Sequence, residues 1–336
     1  MGFEGFHDGS PPFFAQSRTA LFFGLKAAKL QAGSRVLVPY YICNEILVSF
    51  EAFDIDLVFY DVKKDLTPDW QDLSQEVKNK NINALLMVHY FGVPQDVKKF
   101  QTFSKVHNLI LIEDNAHGAF GYHKNAMLGS FGDIAIASPR KTLKTQTGGM
   151  LYINRKEFQV NIPKLSRASV WPAVARALLN ISPKTEIKIR SLMGKEADFE
   201  SSAQKIPTKL VFKRADLLSE FIIRHYQKES CIKRFLCQRM NMWVWLTKQE
   251  KRFGYRNVFD SIPETISPWA FPIYIDEEEK RQKVIEKSKK VGVPIFPWPI
   301  LPEVSLLKSQ SSIKLRNKLI CLPLEGNCDD FIKIFT

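Results

Sequence analysis

Residues Leu109–Asn154 read LILIEDNAHGAFGYHKNAMLGSFGDIAIASPRKTLKTQTGGMLYIN, and this stretch decides the fold. It opens with an apolar run, Leu109 to Ile112, that stops abruptly at two acids, Glu113 and Asp114. A glycine-rich loop follows, then a second apolar run, Ile134 to Ala137, ending in Ser138-Pro139-Arg140-Lys141. Both runs are short, continuous and bounded by turn residues, the pattern of buried parallel strands. In open α/β sheets ligands lie beyond the carboxyl ends of the strands, and Asp114, Ser138 and Lys141 all fall there.

Working outward, the chain alternates. Gln16–Gly33 reads as a helix with one apolar face, and Val36–Pro39 as a buried strand. Leu57–Asp61 and Ala84–Gly92 are further strands, while Trp70–Lys78 and Val97–His107 are amphipathic helices. Strand and helix at these lengths imply right-handed βαβ units and a mostly parallel sheet flanked by helices. Residues 155–250 read as helical, with breaks at Pro163, Pro172, Pro183 and Pro207 and an amphipathic stretch over Trp171–Leu179. A smaller C-terminal α+β part follows: a strand over Trp269–Ile275, a charged helix over Glu277–Lys290 and a strand over Val291–Phe296. The expected division is a large domain over 1–250 and a small one over 251–336.

An acid and a lysine delivered to one crevice suit pyridoxal phosphate (PLP), which needs a lysine to attach to and a carboxylate to keep its ring nitrogen protonated. The stretch also resembles the DegT/DnrJ/EryC1/StrS sugar aminotransferases, PLP enzymes of the aspartate-aminotransferase fold type I. Their pattern runs E-D-x-A-[QH]-x-x-G, G-D, S-F-x-x-x-K and G-G. Here it is met by Glu113, Asp114, Ala116, His117, Gly132, Asp133, Ser138, Lys141 and Gly148-Gly149, with a shorter serine-to-lysine spacing. The resemblance implies Lys141 as the catalytic lysine, Asp114 at the ring nitrogen, His117 at the phenolic oxygen and Ser138 at the phosphate. It also implies that Ser17, Arg18 and Thr19, opening the first helix, cup the phosphate, as a helix N-terminus favours.

Three positions depart from the family pattern. Cys43 stands where many members stack an aromatic on the cofactor, leaving Tyr40 or Tyr41 to supply that face. Val211-Phe212-Lys213-Arg214 lacks the asparagine that reaches the neighbouring subunit's phosphate, with Lys213 or Arg214 as replacements. Gln146-Thr147 precedes Gly-Gly where an acid is frequent.

Composition fits a globular chain with a large core, 45% apolar and 25% charged over 336 residues. No apolar run reaches 18 residues, and the N-terminus lacks a basic region followed by a long apolar core, so a cytoplasmic protein is expected. Five cysteines form no CxxC and six histidines no HExxH, which leaves metal chemistry without support. The net charge of +13 lies wholly beyond residue 150, where a diphosphate, a nucleic acid or an anionic membrane face would be the natural partner. No nucleic-acid motif accompanies it. The resemblance thus implies a PLP-dependent aminotransferase, homodimeric, moving an amino group from an amino-acid donor such as glutamate to a nucleotide-linked keto-sugar. A sugar dehydratase of the same family, or a non-catalytic PLP-fold regulator, is the alternative; both are disfavoured by the presence of Lys141.

Overall fold

The computed structural model describes residues 13–143, 145–172, 174, 209–263 and 265–336. In the first half, β1 (Phe13–Phe14) leads into α1 (Ser17–Ala27). Then β2 (Arg35–Pro39), α2 (Val48–Glu51), β3 (Asp56–Tyr60), α3 (Trp70–Asn79), β4 (Ala84–Val88), α4 (Val97–Val106) and β5 (Ile110–Asn115) alternate. A small hairpin, β6 (Tyr122–His123) with β7 (Ala126–Met127), precedes β8 (Ile134–Ala137), α5 (Pro139–Leu143) and β9 (Gly149–Ile153). The sheet order is β1-β9-β8-β5-β4-β2-β3, with β3, β2, β4, β5 and β8 parallel and the β9 and β1 edge antiparallel.

The apolar runs explain the central strands. Every residue of β4 (ALLMV) and β8 (IAIA) is buried, as strands covered on both faces must be. The helices start where side chains can satisfy free N–H groups: Asp69 accepts from Gln71 and Asp72, and Asp96 from Lys99. All the parallel strands therefore end on one side, where β5 delivers Asp114 and the β8–α5 turn delivers Lys141.

The second half adds α6 (Leu217–Tyr226), α7 (Glu229–Thr247), α8 (Glu250–Phe253), β10 (Arg256–Asn257) and β11 (Phe271–Tyr274). It continues with α9 (Glu278–Val291), β12 (Phe296–Pro297), α10 (Glu303–Lys308), α11 (Gln310–Lys318), β13 (Leu319–Leu322) and α12 (Cys328–Phe335). These strands make an antiparallel sheet in the order β10-β11-β13-β12. Its core takes Trp243 and Leu246 from α7, Phe271 and Ile273 from β11, and Phe331 and Ile334 from α12. The molecule is thus α/β: a seven-stranded, mostly parallel sheet plus a small C-terminal antiparallel sheet with helices.

Three expectations change. Among the described residues, 154–168 contain no helix; the chain there runs extended, and Ser166 and Ala168 exchange backbone hydrogen bonds with Arg214 at 2.9 and 3.0 Å. Of the strand read over Val291–Phe296, Val291 ends α9, residues 292–295 form a turn and an irregular link, and only Phe296 is in a strand, the two-residue β12. Most of the amphipathic stretch over Trp171–Leu179 lies outside the described residues.

Candidate functional site

A cavity of about 250 Å³ opens at the carboxyl ends of the parallel strands. Asp114, His117 and Lys141 share its wall with Ser17, Arg18, Cys43, Glu45, Arg140, Trp269 and Trp298. Asp114 is buried near the end of β5; its Oδ1 accepts from the Ala116 N–H at 2.9 Å, and Oδ2 keeps its acceptor capacity. Burial pushes its carboxyl above the ordinary range, and the Ala116 bond and the Lys141 charge only partly offset this. Lys141, half-buried at the first turn of α5, has its amine pulled below the usual lysine value chiefly by loss of water, against the raising influence of Cys43 and Asp114. Its Nζ lies 5.0 Å from the centre of the Trp269 ring.

His117 is buried, and its Nδ1 accepts a hydrogen bond from the Phe91 N–H at 3.1 Å. A nitrogen that accepts carries no proton, so the neutral ring must bear its hydrogen on Nε2. Burial, then the nearby Lys141 charge, hold the imidazole well below its ordinary pKa, so it stays a neutral donor. Trp269 and Trp298 flank it at ring distances of 4.4 and 5.0 Å.

The start of α1 forms the opposite wall. Ser17 and Arg18 face the cavity, and Arg18 Nε is buried without an acceptor. Thr19 does not join them: it is fully buried and its hydroxyl donates to the Val211 carbonyl at 2.9 Å. Ser138 lies at the end of β8, fully buried, with Oγ unpaired, one step behind the cavity wall. Gly149 explains how α1 approaches so closely. A Cβ there would stand 2.4 Å from the Gln16 carbonyl carbon and 2.5 Å from the Ser17 nitrogen, backbone atoms that cannot yield.

The two tyrosines offered as a stacking face stand elsewhere. Tyr41 is fully buried and donates to the Trp298 carbonyl at 2.7 Å, and Tyr40 stacks on Phe59 at 5.1 Å. Trp269 and Trp298 supply the aromatic wall instead. Lys213 and Arg214 lie along β1, where Ala15 donates to the Lys213 carbonyl at 2.9 Å. Thr147, before Gly148-Gly149, is bonded through Oγ1 to Asp216 at 2.6 Å, so an acid does meet this turn, from α6's cap.

Val88 and His89, whose V-H-x-x-G pattern through Gly92 resembles a family loop at the active-site wall, do line the cavity. Sequence reasoning missed Glu45, Arg140 and the placement of Trp269: Arg140 adjoins the lysine and was open to notice, while the other two come from distant segments with no local signature. His89 Nδ1 accepts from Gln95, so Nε2 donates to Glu113 at 3.0 Å. Glu113 also accepts from the N–H groups of Gly129, Phe131 and Gly132 at 2.6, 2.8 and 2.9 Å. It holds the glycine-rich loop, leaving the cavity to Asp114.

Residues 14–180 match the family model described as the DegT/DnrJ/EryC1/StrS aminotransferase family. GDP-perosamine synthase of Escherichia coli O157:H7 is 32% identical over 145 residues, 41% of this chain and 38% of that protein. The spore coat polysaccharide biosynthesis protein SpsC of Bacillus subtilis is 29% identical over 150 residues, 44% of this chain and 38% of that protein. The chain thus spans under two-fifths of the length of these curated relatives. A DegT DnrJ EryC1 StrS aminotransferase from Brucella abortus superposes with a TM-score of 0.66 at 16% identity, over 96% of this chain and 83% of that one. An E. coli GDP-4-keto-6-deoxy-D-mannose-3-dehydratase with bound hydrated PLP gives the same TM-score and identity, over 96% and 87%. At that identity the likeness is one of fold.

Proposed function

Because the chain belongs to the DegT/DnrJ/EryC1/StrS aminotransferase family, we propose that it is a PLP-dependent aminotransferase. It would take an amino group from an amino-acid donor, glutamate, and deliver it to a nucleotide-linked keto-sugar in amino-sugar or polysaccharide biosynthesis. The observation that carries this reading is the convergence of Lys141, Asp114 and His117 on one cavity.

The residues fit the cofactor. Asp114 has an oxygen available for a protonated ring nitrogen, and His117 has a fixed Nε2–H for a phenolic oxygen. Arg18, with its unpaired buried Nε, and Ser17 at the start of an eleven-residue helix suit a phosphate; Ser138, behind the wall, has an unpaired Oγ. Bound, the cofactor supplies the electron sink for the carbon that gains or loses the amine.

This chain's own groups do the rest. Lys141 would hold the cofactor, and its amine is placed to move a proton at the amine-bearing carbon. Its lowered pKa leaves more free base near neutrality than an exposed lysine has. Asp114 would keep a ring nitrogen protonated, His117 would donate without titrating, and Trp269 and Trp298 wall the cavity. The retained lysine favours transamination over dehydration. The basic second half suits a diphosphate-bearing substrate, and we propose a cytoplasmic homodimer. No helix among the described residues is long and apolar enough to cross a membrane.

The test is a single turnover. PLP-loaded protein mixed with glutamate should release one equivalent of 2-oxoglutarate per site, and Lys141→Ala should release none. Failure of the wild type to release the matching 2-oxo acid from glutamate and from every other common amino-acid donor would sink the reading.

A further inference from the structure

Arg239, on α7, is nearly fully buried; its guanidinium lies 5.5 Å from the Phe235 ring of the same helix, yet its side-chain hydrogen bonds all go to other segments. Its Nε and Nη2 donate to the Pro268 carbonyl at 2.9 and 2.7 Å, and Nη2 also donates to the Trp269 carbonyl at 2.6 Å. Nη1 pairs with Glu325. The line continues toward the cavity. Trp269 N–H donates to the Phe91 carbonyl at 3.1 Å, and Phe91 N–H donates to His117 Nδ1 at 3.1 Å. Phe91 is a buried non-glycine residue at φ +57°, a left-handed conformation that persists only where its surroundings impose it. The neighbouring Gly92, at φ +86°, admits no side chain, since a Cβ would stand 2.7 Å from the Ser267 carbonyl oxygen. The strained turn is thus clamped on one side by His117 and on the other by the Pro268–Trp269 segment that Arg239 grips.

We propose that Arg239 is a positioning residue for the cavity: through Trp269 and Phe91 it fixes the ring of His117 and the indole face beside Lys141. The C-terminal sheet thereby takes part in setting the proton state of groups mounted on the parallel sheet. The guanidinium fork is essential, because a lysine carries its three donors on one nitrogen and cannot span two carbonyls and Glu325 as Nε, Nη1 and Nη2 do. The indole face stabilises the nearby ammonium of Lys141. That amine also faces Asp114 from β5, Cys43 and Glu45 from the segment after β2, and Arg140 from its own helix. None of these is among Arg239's hydrogen-bond or ion-pair partners. The inference concerns contacts within the chain and does not require the cofactor.

The test uses the full-length protein without added PLP. Nitrogen-15 histidine spectra report the His117 tautomer from pH 5 to 8, the signal being assigned with His117→Gln. Competitive acetylation by acetic anhydride, mapped by mass spectrometry, reports the free-amine fraction of Lys141. In the wild type His117 should remain neutral and protonated on Nε2 throughout. Arg239→Lys should let it titrate or exchange tautomers within this range. Both Arg239→Lys and Trp269→Leu should speed Lys141 acetylation at pH 7 about two- to fivefold, the size of a lost cation–π contact, and the double variant no further. Glu325→Gln, which spares the carbonyl bonds, should leave both readouts unchanged. A folded Arg239→Lys protein with wild-type His117 signals and a wild-type Lys141 rate would overturn the proposal. Should that variant fail to fold, an unchanged Lys141 rate in Trp269→Leu would overturn it equally.

Discussion

Asp114 and Glu113 are neighbours in sequence with opposite physical fates. Burial raises the Asp114 carboxyl, so its folded-state value lies above the unfolded one. Stability present below the unfolded value is therefore lost as the pH rises through the folded one, and the ionised side chain costs stability near neutrality. Asp114→Asn should accordingly stabilise the cofactor-free protein at pH 7–8 by about 1 kcal/mol, the gain vanishing toward pH 4. It should at the same time abolish amino transfer. Thermal melts across pH, paired with the glutamate turnover, check both halves. For Glu113 burial also pushes upward, but the His89 bond and the backbone donors outweigh it and hold the carboxyl below its ordinary range. Its contribution is present above the unfolded value and is lost as the pH falls through the folded one. Glu113→Gln should cost about 2–4 kcal/mol at pH 7, and the difference should shrink in acid, as urea titrations at several pH values would show. Asp114, His117 and Lys141 were legible because they share one strand-loop-strand unit whose order and spacing carry the pattern. Trp269 and Glu45 were not, since they reach the cavity only through tertiary packing. For Tyr40 and Tyr41 the sequence left both a stacking face and core packing open, and the turn after β2 resolves them into packing contacts.

At the scale of elements, the parallel strands could be read directly because an apolar run buried on both faces has few alternatives. The 154–168 segment could not. Its polar, proline-broken composition finds its structure by bonding to Arg214, almost fifty residues on. The two-residue strands β10 and β12 leave no periodic signature at all. The turn into β9 is the element on which the site most depends. Gly149→Ala would drive a methyl group into the backbone of Gln16 and Ser17, so α1 must move off β9. We expect a loss of about 2 kcal/mol or more in urea unfolding. Stabilisation by inorganic phosphate, read as a thermal shift through Arg18 and the start of α1, should fall in the same variant. An unchanged phosphate shift would show that the anion seats elsewhere.

For the whole molecule, charge and sheet architecture divide differently. The first 150 residues are electrically balanced and carry Lys141, Asp114 and His117, while the whole excess of +13 lies beyond them. In the proposed division into a large part over 1–250 and a small part over 251–336, α7 falls in the first by number yet packs against the small sheet. Its Trp243 and Leu246 enter the core of the small sheet, and its Arg239 reaches back to Trp269. Sedimentation equilibrium of the PLP-loaded protein should return twice the chain mass of 38.7 kDa. A monomer that turns over glutamate would remove the dimer from the account.

The central claim is that one lysine, placed by the β8–α5 turn, carries the chemistry. Reduction of the PLP-loaded protein with borohydride, followed by peptide mapping, tests it most directly. The account predicts one cofactor equivalent fixed on Lys141, and none retained by Lys141→Ala. Label on another lysine, or no label on the wild-type protein at saturating PLP, would contradict it.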